Sequence, residues 1–424
     1  MWKYNLDLWN PRFLNNEQVE YIEKNFGSPC FVYSEQAWED VANEFLAFPN
    51  AYGLQVKYAM KSWPNKNILK FYANKWIWVD ASSEFEVYRA LDAGVPANTI
   101  SLVTQELPRD LNRILDSWIF YIASSLYQLE EVAKTWKKSE IWVRINIGLW
   151  SGYNPQNSTG WANSSFWIWY KDIPKILKIE EKYNIKISFI HIHIGSGNST
   201  KSWLDAADSW LKLVEEFSNA KTLDLWGGFK IWLTPLEKAP DLQDIWNSVK
   251  IKFEDFYKKT WRKIKLVVEP WKYLSANTGS FVTKVIDIVE TTWEWWKKFI
   301  KLNSWMNDMP RVAMYWIQES IYIMNDETER EEAVVVWHCC ESWDIKTVKL
   351  WESGTPELRE LNKANIWDLV VVDWTGWYNS WMAMKNYNSF PESAELLLRK
   401  DWTIVEIRKR EWIEEIWRNE ISVV

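Results

Sequence analysis

Glycine is scarce in this chain. Its 424 residues include 13 glycines, where an average composition of about 7% would give roughly 30. A fold of this size needs left-handed backbone at turns and helix ends, and glycine provides it with least strain. Other residues must therefore stand at some of those places. Cysteine is scarce too. Cys30, Cys339 and Cys340 cannot build a disulfide framework, because neighbouring cysteines pair poorly, so a reducing cytoplasm is expected. Positive charge is not in excess: 50 Lys+Arg stand against 57 Asp+Glu, a net charge of -7. That argues against nucleic acid as a partner, which needs a basic footprint. No apolar run approaches the ~20 residues that span a bilayer, and Met1–Phe13 lacks the apolar segment of a secretory signal. No membrane partner is expected.

What the chain has instead is 35 tryptophans. They follow neither the 2.0 nor the 3.6 period of core residues. Several stand where backbone physics calls for glycine. Trp76 follows a helical stretch at the position usually held by glycine in the left-handed conformation. Asp401-Trp402 joins two strand-like runs where Asp-Gly is the strong hairpin signal. Trp226 directly precedes Gly227-Gly228. Scattered cases such as Trp246 and Trp261 read equally as core aromatics. A UGA codon decoded as glycine, as in some uncultured bacterial lineages, but translated on paper as tryptophan would produce this pattern. A sugar-binding aromatic surface would instead gather its rings on one face, which these positions do not do.

From about residue 28 to 280 short apolar runs alternate with amphipathic ones. Strands are expected at Ala51–Met60, Trp76–Ala81, Ile100–Val103, Phe120–Ala123, Ile141–Ile147, Ile187–Ile194, Thr222–Leu225 and Ile264–Val268. Helices include Pro64–Asn74, Glu84–Ala93, Asp172–Tyr183 and Trp203–Ser218. This order predicts an α/β fold, a (β/α)8 TIM barrel over residues 28–280. After 280 the strand-like runs Phe281–Glu290, Val312–Tyr322, Ala333–Val336, Ile345–Leu350, Leu369–Val372 and Thr403–Lys409 lack long helices between them. They predict a mostly antiparallel β domain over 281–424, with residues 1–27 associated.

Chemistry-bearing residues gather at the ends of the barrel strands, the face such barrels use. Lys61 closes Tyr58-Ala59-Met60-Lys61 and could form a Schiff base, though a surface lysine is the plainer reading. His191 and His193 share one face of a strand. They could bind a metal, but no third ligand is evident, and a ring stacked on a flat cofactor fits better. Gly227-Gly228 could cradle a phosphate with backbone N–H groups. Glu269, before Pro270, could hold a pyridinium nitrogen protonated or be a solvated strand end. Cys339-Cys340-Glu341 could offer a thiol acid and a carboxylate, or a cysteine could be buried filler.

Taken in order, these segments resemble the fold-type III pyridoxal-phosphate decarboxylases, and within them the branch acting on diaminopimelate. Tyr58–Asn65 is similar to the family's YAVKAN-type segment. Val79–Glu84 is similar to its (F/V)D-x-x-S-x-x-E segment, with Asp80. Ser158–Ile168 resembles TGG-x-x-SKFGI with Trp161 and Trp167 at glycine positions. Ile192–Gly197 resembles HIGSG, Leu225–Phe229 the GGG phosphate loop, and Glu269–Ala276 EPGRYLVA. Ser304–Tyr315 resembles GMND-x-x-RPALY, Val336–Asp344 the CESGD motif, and Thr375–Asn388 TGAY…NYN.

The resemblance implies pyridoxal 5'-phosphate as cofactor and decarboxylation of meso-2,6-diaminopimelate to L-lysine. It implies Lys61 as the Schiff-base lysine, His193 against the cofactor ring and Glu269 at its nitrogen. Asp80 belongs to the cofactor site, and Ser196, Gly227, Gly228 and Tyr378 would grip the phosphate. Cys340 would be the proton donor, delivered from the partner subunit of a head-to-tail homodimer. Lys272, Arg311, Tyr315, Glu341 and Tyr378 would bind the amino-acid substrate, Arg311 and Tyr315 its distal carboxylate, and Glu341 could take the distal ammonium. No metal is implied. Departures are Lys272 for the family arginine, Ser62-Trp63 after the lysine, and Gln318-Glu319 near a common histidine. Sister decarboxylases of carboxynorspermidine, ornithine or arginine, and a pyridoxal-phosphate-binding protein without turnover, are the alternatives.

Overall fold

The computed structural model describes residues 10–148, 167–193, 200–227, 229, 231, 241–291, 297–304, 306–349 and 354–423. They divide into two compact units, one holding the described residues from Asp40 to Leu274, the other residues 10–39 and 275–423.

The first unit is a closed barrel of eight parallel strands. They are β1 (Leu54–Ala59), β2 (Trp78–Ala81), β3 (Ile100–Val103), β4 (Phe120–Ala123), β5 (Glu140–Asn146), β6 (Lys186–His193), β7 (Thr222–Trp226) and β8 (Lys265–Glu269). Closure comes from β1 on β8, with Val56 opposite Val268. Alternate residues face opposite sides of a strand, and this period organises the interior in layers. Near the strand starts, Trp78, Phe120, Trp142 and Phe189 stack in a column with ring centroids 5.1, 4.4 and 3.9 Å apart. Two residues further along four of these strands come Asp80, Ile122, Arg144 and His191, all buried. Lys57, Ser101, Asp224 and Glu269 are buried too. The barrel thus has an aromatic floor and a charged layer nearer its C-terminal end. Outward residues pack on helices: the Tyr58 ring lies 5.0 Å from Tyr72 on helix Lys66–Asn74, which opens with Asn65 accepting from the Asn67 amide.

The second unit is a mixed, mostly antiparallel sheet. Its strands run Arg359–Asn362, Arg330–Val336, Lys298–Leu302, Gly279–Glu290, Cys30–Ser34, Ala394–Leu398 and Ile404–Arg408 in spatial order. Leu369–Asp373 pairs with Gly279–Glu290 and carries Ile321–Met324. Three expectations are corrected here. Cys30–Ser34 lies in this sheet, parallel to Ala394–Leu398, so the division falls after Glu39 and Leu274 rather than at 28 and 280. A five-residue strand buried throughout carries no alternation to tell which sheet takes it. The run Val312–Tyr322 is not one strand: Pro310–Tyr315 is a helix with proline in its first turn, where a fixed φ favours helix entry. In the expected strand Ile345–Leu350, whose last residue lies outside the described residues, residues 345–349 make only isolated bridges among the described residues, through Ile345 and Val348. Gly376 is required as written, since a Cβ there would fall 2.1 Å from the Ser275 carbonyl oxygen.

Among the described residues, nine tryptophans have φ between 53° and 83°: Trp76, Trp118, Trp136, Trp167, Trp261, Trp316, Trp367, Trp374 and Trp402. Bulky residues are genuine outliers there. Helix Glu84–Asp92 shows the ordinary solution. Gly94 (φ 82°) donates to Leu91 O, and Val95 to Ala90 O, a Schellman closure. Helix Lys66–Asn74 makes the same closure with Trp76 donating to Ala73 O and Ile77 to Tyr72 O. Trp402 makes the hairpin turn between Ala394–Leu398 and Ile404–Arg408, donating to Arg399 O. Of the two ambiguous cases, Trp246 is core and fully buried, whereas Trp261 is a left-handed helix cap, 78% exposed.

Candidate active site

The expected site residues fall into two groups, one on each unit. On the barrel, Lys61 sits in a single 3-10 turn, Met60–Ser62, directly after β1. Loss of solvation lowers its ammonium pKa, and the positive Arg144 pushes the same way. Those effects make the amine more available as a nucleophile. Asp80 is the next-to-last residue of β2 and accepts from Ser101 Oγ at 2.5 Å, and burial raises its pKa. His191 and His193 are both buried on β6 and both held well below the usual imidazole pKa, by desolvation first and then by Arg144. They are neutral rings. Trp167 lies edge-on to His193, centroids 5.4 Å apart, and its indole carries the Arg144 guanidinium 4.0 Å above it.

Glu269 ends β8 with no exposed side-chain surface. Burial, then Asp224 and Asp80, push its carboxyl pKa well up, and Lys57 opposes them. Neither carboxylate oxygen of Glu269 accepts a hydrogen bond among the described residues. Lys57 Nζ stands 2.9 Å from Asp224 Oδ2 and 3.3 Å from Glu269 Oε1. His191, Asp224 and Glu269 bring donor atoms within 4.8 Å of one another, but that fixed ammonium already covers both carboxylates, and a dication would be repelled. Lys272 is buried on the short helix Trp271–Ser275. Gly227 follows β7 in the described structure, while Gly228 and Ser196 lie outside the described residues.

On the second unit, Arg311 is fully buried and pairs with Glu319, which also pairs with Lys346. The Arg311 guanidinium stacks 3.8 Å from the Trp377 ring. Its Nε and Nη1 have no acceptor among the described residues. Tyr315 is half-buried at the end of the same helix. Cys340 is exposed on a turn clasped by Asp344, whose carboxylate accepts from the Cys339 and Met306 amides. Cys339 is half-buried, and burial, then the Asp344 carboxylate, push its thiol pKa up to about 12. Glu341 accepts from Tyr387 Oη at 2.5 Å, and Asn388 Nδ2 lies 3.6 Å from Cys340 Sγ. Tyr378 is half-buried, with φ 48°.

Sequence reasoning missed Lys57, Arg144, Asp224 and Lys346. A signal was present for three: Lys57, Arg144 and Asp224 are charged residues inside apolar runs, on the inward phase of a barrel strand; Lys346, in Asp344-Ile345-Lys346-Thr347, carries none.

Residues 38–276 match the family model for the pyridoxal binding domain of pyridoxal-dependent decarboxylases. The chain belongs to that family. It is 30% identical over 417 residues to the diaminopimelate decarboxylase of Buchnera aphidicola subsp. Schizaphis graminum, covering 95% of this chain and 96% of that one. It is 27% identical to the Escherichia coli (strain K12) diaminopimelate decarboxylase, with the same shares covered. A crystal structure of a diaminopimelate decarboxylase superposes with a TM-score of 0.85 at 26% identity, covering 95% of this chain and 96% of that one.

The cofactor of this pyridoxal-dependent decarboxylase is pyridoxal 5'-phosphate, and the barrel residues suit it. Among the described residues Glu269 has the Lys57 ion pair but neither oxygen accepts a hydrogen bond, and a buried carboxylate so placed is costly unless a further donor arrives. A protonated pyridine nitrogen is such a donor. Among the described residues no helix is long and apolar enough to cross a membrane.

Proposed function

We propose that this enzyme decarboxylates meso-2,6-diaminopimelate, giving L-lysine and carbon dioxide. The observation that carries the substrate is Arg311, fully buried with two donors that lack acceptors among the described residues. A second carboxylate would take them in the paired geometry that arginine favours. Ornithine or arginine as substrate would leave those donors unpaired.

Pyridoxal 5'-phosphate supplies the electron sink for the pair released as the carboxylate leaves. Lys61 would hold its aldehyde carbon and give way to the substrate amine. Glu269 would accept from the ring nitrogen, His193 would lie against the ring, and Asp80 would complete the cofactor site. Ser196, Gly227, Gly228 and Tyr378 would donate to the phosphate. Cys340 would return a proton to the α-carbon. Tyr315 joins Arg311 at the distal carboxylate, Glu341 takes the distal ammonium, and Lys272 contributes a further positive charge. We assign the enzyme to the cytoplasm and to a head-to-tail homodimer in which the partner subunit delivers Cys340. Light scattering tests the dimer.

The decisive experiment compares carbon dioxide release from meso-diaminopimelate with release from ornithine, lysine, arginine and carboxynorspermidine. Preference for diaminopimelate is expected, and equal or greater turnover of another substrate refutes the reading. Cofactor binding without turnover of any of them would leave a binding protein.

A further inference from the structure

Lys57 belongs to none of the roles above, yet it is among the most completely enclosed charges in the barrel. Its side chain is 0% exposed and rises from β1 into the space between β7 and β8. Phe189 and Trp142 form its floor, ring centroids 4.7 and 5.4 Å from Nζ. Its two carboxylate neighbours, Asp224 and Glu269, are equally enclosed. An ammonium so placed would be expelled or neutralised if it had no partner. Here it has two, and one of them is the carboxylate that faces the cofactor nitrogen in the reading above.

We propose that Lys57 is a positioning residue that holds Glu269 in its carboxylate form and fixes its side chain under the cofactor ring. The inference rests on the assignment of Glu269 to the ring nitrogen. The groups facing Glu269 can be named strand by strand: Lys57 on β1 and Lys61 just beyond it, Asp80 on β2, Arg144 on β5, His191 and His193 on β6, and Asp224 on β7. The histidines are neutral. That leaves the basic groups Lys57, Lys61 and Arg144 against the acidic groups Asp80, Asp224 and Glu269, and while burial pushes the Asp80 and Glu269 pKa up, Lys57 pulls both down. Lys57 is the only one of these basic groups within 4.0 Å of Glu269 among the described residues. Without it, two adjacent buried carboxylates would face each other and share a proton. A protonated Glu269 can no longer stabilise a protonated ring nitrogen, and the electron sink weakens.

The test uses the holoenzyme and the variants Lys57→Met, Lys57→Arg and Lys57→Met/Asp224→Asn. In Lys57→Met, kcat at neutral pH should fall at least about tenfold, and the acid limb of kcat should move up by about one pH unit or more. The KM for substrate should stay within about twofold, because Lys57 touches no substrate. Lys57→Arg should restore the limb. So should the double variant, which removes the like charge beside Glu269 and also avoids leaving an unpaired buried carboxylate should the single variant fold poorly. The infrared carboxyl band assigned to Glu269 by its loss in Glu269→Gln gives an independent readout. It should appear at higher pH in Lys57→Met than in the parent. A limb and a carboxyl band that both stay in place overturn the proposal. So does a loss of kcat that is equal at every pH and unrescued by arginine. If the parent binds no pyridoxal phosphate, the cofactor reading fails, while the carboxyl band still decides what Lys57 does to Glu269.

Discussion

Replacing the exposed left-handed tryptophans by glycine should stabilise the chain as written. The positions are Trp76, Trp118, Trp136, Trp261, Trp367 and Trp402, which are 66–78% exposed with φ of 57–79°. Left-handed backbone costs an L-residue with a side chain about 1–2 kcal/mol, and glycine pays none of the Cβ clash. Four of the six lie in the barrel unit and are far apart in sequence, so their effects should add. The barrel should gain roughly 4–8 kcal/mol, a large part of the 5–15 kcal/mol typical of a whole domain. Little is lost in exchange, because indoles two-thirds exposed bury little surface. With a urea slope of roughly 3 kcal/mol per molar, the midpoint of the barrel transition should rise by about 1–3 M, read by far-ultraviolet circular dichroism. Trp246→Gly is the control. That indole is fully buried inside helix Leu242–Thr260, so its removal should cost about 3–5 kcal/mol for the cavity and about 1 more for glycine in a helix. An unchanged or lowered midpoint in the multiple glycine variant refutes the reasoning. Peptide mass spectrometry of native material that finds tryptophan at these positions refutes the recoding of UGA as glycine and leaves the strain argument to the urea midpoint.

Cys340→Ala should lower kcat by roughly 10²–10⁴-fold, the range for a lost general acid, while the visible absorbance of the bound cofactor persists; unchanged turnover would remove Cys340 from the chemistry. Arg311→Met should raise the KM for diaminopimelate much more than it lowers kcat, and a pure loss of kcat would contradict the distal-carboxylate role. Asp308→Asn should flatten a pH dependence of stability. Burial raises the Asp308 pKa to about 6 from 3.8, against hydrogen bonds from Ser393 and Ser304. The folded state therefore holds its proton longer than the unfolded state. That contribution is full below about pH 4 and is lost as pH rises through about 6, amounting to at most about 3 kcal/mol. Urea midpoints across that range should fall with pH in the parent and fall less in the variant.

The barrel was legible because its strands announce themselves twice, by apolar content and by regular spacing. Ile100–Val103 and Phe120–Ala123 fall on the expected residues. Cys30–Ser34 escaped because it is a short strand whose partners, at Val282 and Ala394, are distant in sequence, whereas Lys298–Leu302 pairs with the preceding strand Gly279–Glu290 and escaped only because it is short. Helix Pro310–Tyr315 was hidden inside an apolar run that fits either period until Pro310 is given its weight. Glu269 and Lys61 could be proposed from motif order. Lys57 could be marked locally only as a charge on the inward phase of an apolar strand; its pairing with Glu269 depends on the closure of β1 on β8, a contact more than 200 residues apart in the chain.

The closure of the barrel also has a consequence for how the molecule behaves at high concentration. In such a fold every helix returns to the same rim, where the next strand begins. Trp76, Trp118, Trp136 and Trp261 all occupy helix-to-strand turns on that rim, whereas Gly94 and Asn184 fill the equivalent turns elsewhere on it. Chains carrying the four indoles would present a greasy collar at one end, and such collars self-associate when the solution is salted or concentrated. Chains with glycine there would lack it. Colloidal behaviour, measured as the second virial coefficient of the two preparations, is thus governed by residues at the opposite end of the barrel from its strand C-termini.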